Sequence, residues 1–240
     1  MCITSLKVNM LGGLSIRSGD VEINDGDNRS RKVWLLLAYM IYCRKRPITQ
    51  EELVRLLWDD ADSVTNPANA LKTMFHRVRT TLDRLGDSAG HVLIVRQGGS
   101  YAWNCKVPLT LDVEAFDELC QSASDATRPK DRLERCLKAL ERYCGDFLEH
   151  FSSGPWVVPV AAYYHNVYLP VTHEVLPMLE EADRREEAAL LCRQAIQLDP
   201  YCEELYWHLM RNLLDLERQK EAIVVYEEVT QLLYDNFGVN

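Results

Sequence analysis

The spacing of apolar positions changes character several times along the 240 residues. Between residues 3 and 24 the apolar runs are short: Leu6 to Leu14, Ser15-Ile16-Arg17 and Val21-Glu22-Ile23. Gly12-Gly13 and Ser18-Gly19-Asp20 punctuate them, which predicts short strands joined by glycine-containing turns. From Arg31 the period becomes helical, because Val33, Leu36, Leu37, Met40 and Ile41 recur at i, i+3, i+4, i+7 and i+8, and Arg44 to Pro47 ends the run. A second helix is predicted to open at Thr49-Gln50-Glu51-Glu52, a capping box with Ile48 placed to staple onto Leu53. It runs to about Trp58 and buries Leu53, Leu56 and Leu57, and a polar loop, Asp59 to Thr65, follows.

The third helix carries the most information. Asn66 is placed as N-cap with Pro67 at the first helical position, and Gly86 follows Leu85 as a stop signal, so a helix over 67–85 is predicted. At about 100° per residue, Leu71, Met74, Phe75, Val78, Leu82 and Leu85 fall on one stripe that should face a core. Asn69, Thr73, His76 and Thr80 run along the centre of the opposite face, flanked by Lys72 and Arg79 on one side and Arg77 and Arg84 on the other. Short polar side chains between basic flanks suit a major groove, where the centre reaches base edges and the flanks meet phosphates. An ordinary solvated face has the same composition, so the surroundings decide between the two. After Gly86, His91 to Arg96 and Ser100 to Trp103 flank Gln97-Gly98-Gly99, which predicts a β-hairpin with Arg96 near its tip. Strands, three helices and a hairpin describe a winged helix, whose third helix enters the major groove while the wing rests on the backbone.

Beyond Pro108 nearly every apolar period is helical. Asp112 caps a helix carrying Val113, Phe116 and Leu119, and another runs from about Pro129 through Leu133, Leu137 and Leu140 to Tyr143. Gly145-Asp146-Phe147 and Ser152-Ser153-Gly154-Pro155 break the chain before a long helix after Trp156, with Pro170 or Pro177 a place for a kink. The last third repeats itself at an offset of 34: Arg184 with Arg218, Glu187-Ala188 with Glu221-Ala222, Gln197-Leu198 with Gln231-Leu232. Leu191 and Val225, Cys192 and Tyr226, and Ala195 and Val229 correspond in the same register. Thirty-four is the tetratricopeptide period, so helix pairs stacked as an α-solenoid are expected. The expected organisation is an α+β winged helix over 1–106 and an all-α tetratricopeptide-like domain over 107–240.

Charge separates the two parts more sharply than composition does. Residues 1 to 106 carry 15 Lys and Arg against 11 Asp and Glu, whereas residues 107 to 240 carry 12 against 25. The net charge of −9 therefore hides a basic N-terminal half, fit to approach a polyanion, and an acidic half that would be repelled by one. The apolar run Val33 to Cys43 is too short to span a bilayer, and no cleavable leader is visible, which predicts a cytoplasmic protein without membrane attachment. The eight cysteines form no Cys-x-x-Cys pair and read as buried packing. A zinc site from Cys120, Cys136, Cys144 and His150 is weighed and set aside. No phosphate-binding glycine loop, Gly-x-Ser-x-Gly or His-Glu-x-x-His occurs, so neither an enzyme nor a cofactor is expected.

Candidate base contacts are thus Asn69, Thr73, His76 and Thr80. Candidate phosphate contacts are Lys72, Arg77, Arg79 and Arg84 on the helix, Arg31 and Lys32 at the start of the first helix, and Arg96 in the wing. No catalytic or metal-binding residue is assigned. The competing expectation is a tetratricopeptide adaptor that binds proteins, its winged helix serving as a docking module.

The whole pattern resembles the Streptomyces antibiotic regulatory protein family, which joins a response-regulator-type winged helix to a bacterial transcriptional activator domain. The likeness is carried by Leu11-Gly12-Gly13-Leu14, Arg31-Lys32, Glu51-Glu52-Leu53 through Leu56-Leu57-Trp58, Asn69-Ala70-Leu71 with Arg77-Val78-Arg79, and Tyr101. It continues through Asp112 to Phe116, Gly145 to Leu148, Pro155-Trp156-Val157, Asp199 to Leu205, and Glu221-Ala222 to Val239. Relatives often carry a second arginine where Thr80 stands, and proline in the wing where this chain has Gln97 to Ser100. The resemblance implies a transcriptional activator that binds repeated promoter-proximal sites on double-stranded DNA, usually as a homodimer, and contacts RNA polymerase.

Overall fold

The computed structural model describes residues 3–27, 30–58 and 66–238; the loop expected at 59–65 lies outside the described residues. The chain divides into two compact units, Met1–Ala115 with Phe147–Pro159, and Phe116–Asp146 with Val160–Asn240.

In the first unit, β1 (Leu6–Asn9), β2 (Ser15–Ser18) and β3 (Val21–Asn24) are followed by α1 (Arg31–Tyr42), α2 (Gln50–Leu57) and α3 (Pro67–Leu82). Then come α4 (Ala89–Leu93), a hairpin of β4 (Ile94–Gln97) and β5 (Ser100–Trp103), and β6 (Leu109–Leu111). This is the expected winged helix, with differences that are each set by a distant partner. The strand expected from His91 begins only at Ile94, because His91 to Leu93 belong to α4. Leu109–Leu111, expected in a helical region, pairs in parallel with β1 and completes a four-stranded sheet of order β3-β2-β1-β6. The capping box is half made: Thr49 Oγ1 accepts from the Glu52 N–H at 3.2 Å. The Glu52 carboxylate is instead held by Arg46 and by the Tyr39 hydroxyl, and the Arg46 bond keeps its pKa below the ordinary value. In α2 it is Val54, rather than Leu56, that joins Leu53 and Leu57 in the core.

Two long-range ties close this unit. Asp112, buried at the start of α5 (Asp112–Ser124), accepts the backbone N–H groups of Met10 and Leu11 at 2.7 and 2.8 Å, and that of Val113 at 2.8 Å. The returning segment 147–159 bridges Phe147 to Leu11 and donates from Leu148 N–H to the Met10 carbonyl at 2.8 Å. Trp156 of the same segment packs against Tyr39, Tyr42 and Phe147.

The second unit is helical: α6 (Pro129–Leu140), α7 (Val157–Glu181, from Val160 onward), α8 (Arg185–Leu198), α9 (Glu203–Asp215) and α10 (Gln219–Phe237). Pro170 and Pro177 lie inside α7 without ending it. The 34-residue repeat is visible atom by atom. Arg184 and Arg218 each precede a helix and each grip the glutamate three residues on, Glu187 and Glu221, through two nitrogens. Just before them Asp183 (φ 57°) and Glu217 (φ 59°) are left-handed, and the N–H groups of Arg184 and Arg218 return to the carbonyls of Leu179 and Leu213. Both are Schellman ends built without glycine. Leu191 and Val225 are buried alike, as are Ala195 and Val229, whereas Cys192 is buried and its counterpart Tyr226 is 60 % exposed.

Two stability predictions follow from these contacts. Glu217→Gly relieves a left-handed side chain and should raise unfolding free energy in denaturant by about 1 kcal/mol, and Asp183→Gly should do the same. His150 Nδ1 lies 3.0 Å from Asp25, and that hydrogen bond, helped by nearby Glu149, raises the imidazole pKa above its ordinary value. The folded state then holds the proton more tightly, so the stabilisation is full below the unfolded value of about 6.5 and is lost as pH rises through the folded one. The melting temperature of wild type relative to His150→Gln should therefore fall as pH rises from below about 6.5 through the raised folded-state pKa; a constant difference would show that the pair contributes nothing through charge.

Candidate nucleic-acid interface

Local chemistry fixes where α3 starts and which way it faces. The Asn66 side chain accepts the Asn69 N–H at 3.0 Å with Pro67 at the first helical position, and the helix passes after Leu82 into a 3-10 turn over Asp83–Leu85. Leu71, Met74, Phe75, Val78, Leu82 and Leu85 are all buried, as their spacing predicts. Asn69, Lys72, Thr73, His76, Arg77 and Thr80 are exposed together on the other face. The Thr73 and Thr80 hydroxyls donate back to the carbonyls of Asn69 and His76 at 3.1 and 3.0 Å. What these two threonines leave toward solvent is an acceptor lone pair and a methyl group.

Tyr101 is the main anchor of the wing on this helix. Tyr101 stacks on Phe75 with ring centroids 3.7 Å apart and planes 10° from parallel. Its backbone exchanges hydrogen bonds with Ile48, at 2.7 and 2.9 Å, so the residue read as a staple also forms an isolated bridge to the hairpin. Gln50 Nε2 donates to the Gly99 carbonyl at 3.0 Å and holds the tip. Gly98 and Gly99 both have positive φ, 56° and 86°, as a two-residue hairpin turn demands.

On the other side, α4 presses directly on α3. A Cβ at Gly90 would lie 2.4 Å from Arg79 Cα and 2.5 Å from the Arg79 carbonyl oxygen, so only glycine permits this approach. The Gly90 N–H is taken by Asp83 Oδ1 at 2.9 Å. Arg79 is consequently half-buried, and its Nη2 donates to the Ile94 carbonyl at 3.2 Å.

The expected phosphate contacts divide into two groups. Lys72 and Arg77 project from α3 with no partner among the described residues, and Arg96 leans over the Tyr101 ring at 5.8 Å. Arg31, Lys32 and Arg84 are engaged within the unit. Arg31 donates to Ser153 Oγ at 2.8 Å and lies over Phe151, Lys32 sits 5.2 Å from the Trp58 ring, and Arg84 pairs with Asp27 at 2.8 Å. Spacing alone missed Gln50 and His91, which three-dimensional packing brings beside the wing and Arg79. Among the described residues no group of three or more His, Cys, Asp or Glu could hold a metal ion, and no helix is long and apolar enough to cross a membrane.

A winged helix with a basic, polar third helix, followed by repeated helix pairs, defines a class of bacterial regulatory proteins. Residues 111–240 match the family model of the bacterial transcriptional activator domain, and the chain belongs to that family. It is similar to the regulatory protein AfsR of Streptomyces griseus, at 26 % identity over 98 % of this chain and 23 % of that protein. It is also similar to the transcriptional regulatory protein EmbR of Mycobacterium bovis, at 24 % identity over 98 % of this chain and 60 % of that one. The chain thus spans about a quarter to three-fifths of the length of these relatives. The structure of Mycobacterium tuberculosis EmbR in complex with a low-affinity phosphopeptide shares the fold, with a TM-score of 0.62 at 19 % identity over 98 % of this chain and 61 % of that one. The resemblance to the Streptomyces antibiotic regulatory proteins read from the sequence is confirmed by these relatives.

Gly90→Ala forces α4 off α3 and should cost about 1–3 kcal/mol, the range for an overpacked contact. Urea unfolding measures it, and a stability unchanged from wild type would mean that the close approach does not matter.

Proposed function

We propose that this protein regulates transcription by binding double-stranded DNA sequence-specifically through α3, which enters the major groove beside the wing. One observation carries the reading: Asn69, Thr73, His76 and Thr80 lie exposed along one face between basic flanks, and the Phe75–Tyr101 stack fixes the wing alongside them. In this reading the four central residues contact bases, while Lys72, Arg77, Arg79 and Arg96 contact phosphates. Arg31, Lys32 and Arg84 join them only by giving up Ser153, Trp58 and Asp27. The acidic helical unit faces protein rather than DNA, with RNA polymerase and a second copy of the chain as its partners, and the outcome is activation.

A second reading, a tetratricopeptide adaptor, is favoured by a cleft of about 640 Å³ in the helical unit, walled by Leu137, Leu140, Leu190 and Leu198. Selection of the full chain on a randomised duplex pool at two salt concentrations separates the two. Enrichment of a repeated motif with steep salt dependence supports the regulator, and no enrichment favours the adaptor. On the enriched duplex, Arg77→Ala should weaken specific and non-specific binding alike and reduce the salt slope by about 1 if Arg77 meets a phosphate. Relaxed specificity at one base pair, costing about 1–3 kcal/mol, would instead assign it to a guanine. Unchanged binding would remove α3 from the interface.

A further inference from the structure

Between α3 and the wing lies a cleft of about 250 Å³ whose floor is the stacked pair Phe75 and Tyr101. Lys72, His76 and Arg79 reach it from α3 at i, i+4 and i+7, Arg96 from β4 and His91 from α4. No carboxylate lines it. Three permanent cations and two imidazoles thus converge from three elements with no counter-charge, an arrangement that costs energy until an anion enters. One of these cations is only partly engaged: Arg79 Nη2 is satisfied by the Ile94 carbonyl, whereas its buried Nε has no hydrogen-bond partner. A buried orphan donor of this kind is uncommon.

We infer that this cleft is a pocket for one phosphate group of the DNA backbone, with Lys72, Arg79 and Arg96 as its cationic walls. The inference rests on the DNA-binding reading and deepens it. Its volume lies below the roughly 300–1,000 Å³ of ordinary small-molecule sites, which suits a compact tetrahedral group. A phosphate seated here is gripped by helix and wing together, so it fixes the register of α3 in the groove; cations scattered on a surface would leave that register loose. Gly90 and Tyr101 become positioning residues, since they set the distance from α4 and the wing to Arg79.

The test is a set of binding cycles between protein variants and duplexes neutralised one phosphate at a time. Each backbone position of the enriched duplex is replaced in turn by an uncharged methylphosphonate, and the full chain is titrated against each at fixed salt. The expected result is one position per protomer whose neutralisation weakens wild-type binding by about tenfold or more, a typical loss for a charge-assisted contact. At that same position the penalty should shrink severalfold in Lys72→Gln, in Arg79→Gln and in Arg96→Gln, because all three share one anion. Lys72 is exposed and without a partner among the described residues, so Lys72→Gln keeps the test valid should Arg79→Gln fail to fold. If the three variants couple to three different phosphates, or to none while the motif is still bound, the pocket is refuted and the DNA-binding reading stands. If no motif is enriched at all, that reading fails first and the pocket fails with it.

Discussion

The proposed interface depends on the contact between Tyr101 and Phe75. A helix in the groove and a wing on the backbone act together only if their relative position is fixed before DNA arrives, and flexible hairpins are poor at this. Tyr101 solves the problem three times over: its ring stacks on α3, its backbone pairs with Ile48, and its outer face lies under Arg96. Aromatic stacking contributes about 0.5–1.5 kcal/mol beyond the burial of area, and the two backbone bonds make sliding of the hairpin costly. Because Phe75 belongs to the buried stripe of α3, the wing is referenced to the core and not merely to a surface loop.

A second constraint acts on the sheet behind the helices. Asp112 is buried, and burial pushes its pKa up, although the N–H groups of Leu11, Met10 and Val113 pull it down. It ties the end of β1 to the start of α5 across a hundred residues of chain. The segment 147–159 then pairs with the same stretch through Leu148, a bulky residue at φ 48° that the Met10 carbonyl and a fully buried side chain hold in place. A cut at residue 106 would remove both ties from the N-terminal unit, and with them β6.

These long-range ties also mark where sequence reading stops. The start of α3 was legible because Asn66 and Pro67 are local signals, and the buried stripe because 3.6-residue periodicity is local too, whereas the helix ends at Leu82 and only a 3-10 turn reaches the Gly86 stop. The 34-residue repeat was legible because it is a comparison of the chain with itself. The start of β4 was not, since the helical turn at Ala89–Leu93 is set by Gly90 meeting Arg79, a contact that a strand-like composition hides. Nor was β6, three residues whose only partner is β1. For the arginines, a helical wheel gives the face but not the partner. It placed Arg77 correctly in the open and could not foresee that Asp27, 57 positions earlier, occupies Arg84.

On the proposed reading, the same distinction between face and partner limits which bases α3 could contact. Asn69 and His76 can donate toward a groove, while Thr73 and Thr80, their protons committed to helix carbonyls, can only accept or offer a methyl group. From Asn69 to Thr80 the four side chains span eleven helical steps, about 16 Å at 1.5 Å per step, or close to five base steps of about 3.4 Å, with donors available only at Asn69 and His76. Acceptors suit the amino groups of cytosine or adenine, and threonine methyls suit thymine; donors suit guanine or the N7 of either purine. On the proposed DNA-binding reading, a helix seated in this way would cover only a short half-site of mixed composition. Such a half-site is too short to specify a promoter alone, which is the physical reason that two protomers on repeated sites would be needed.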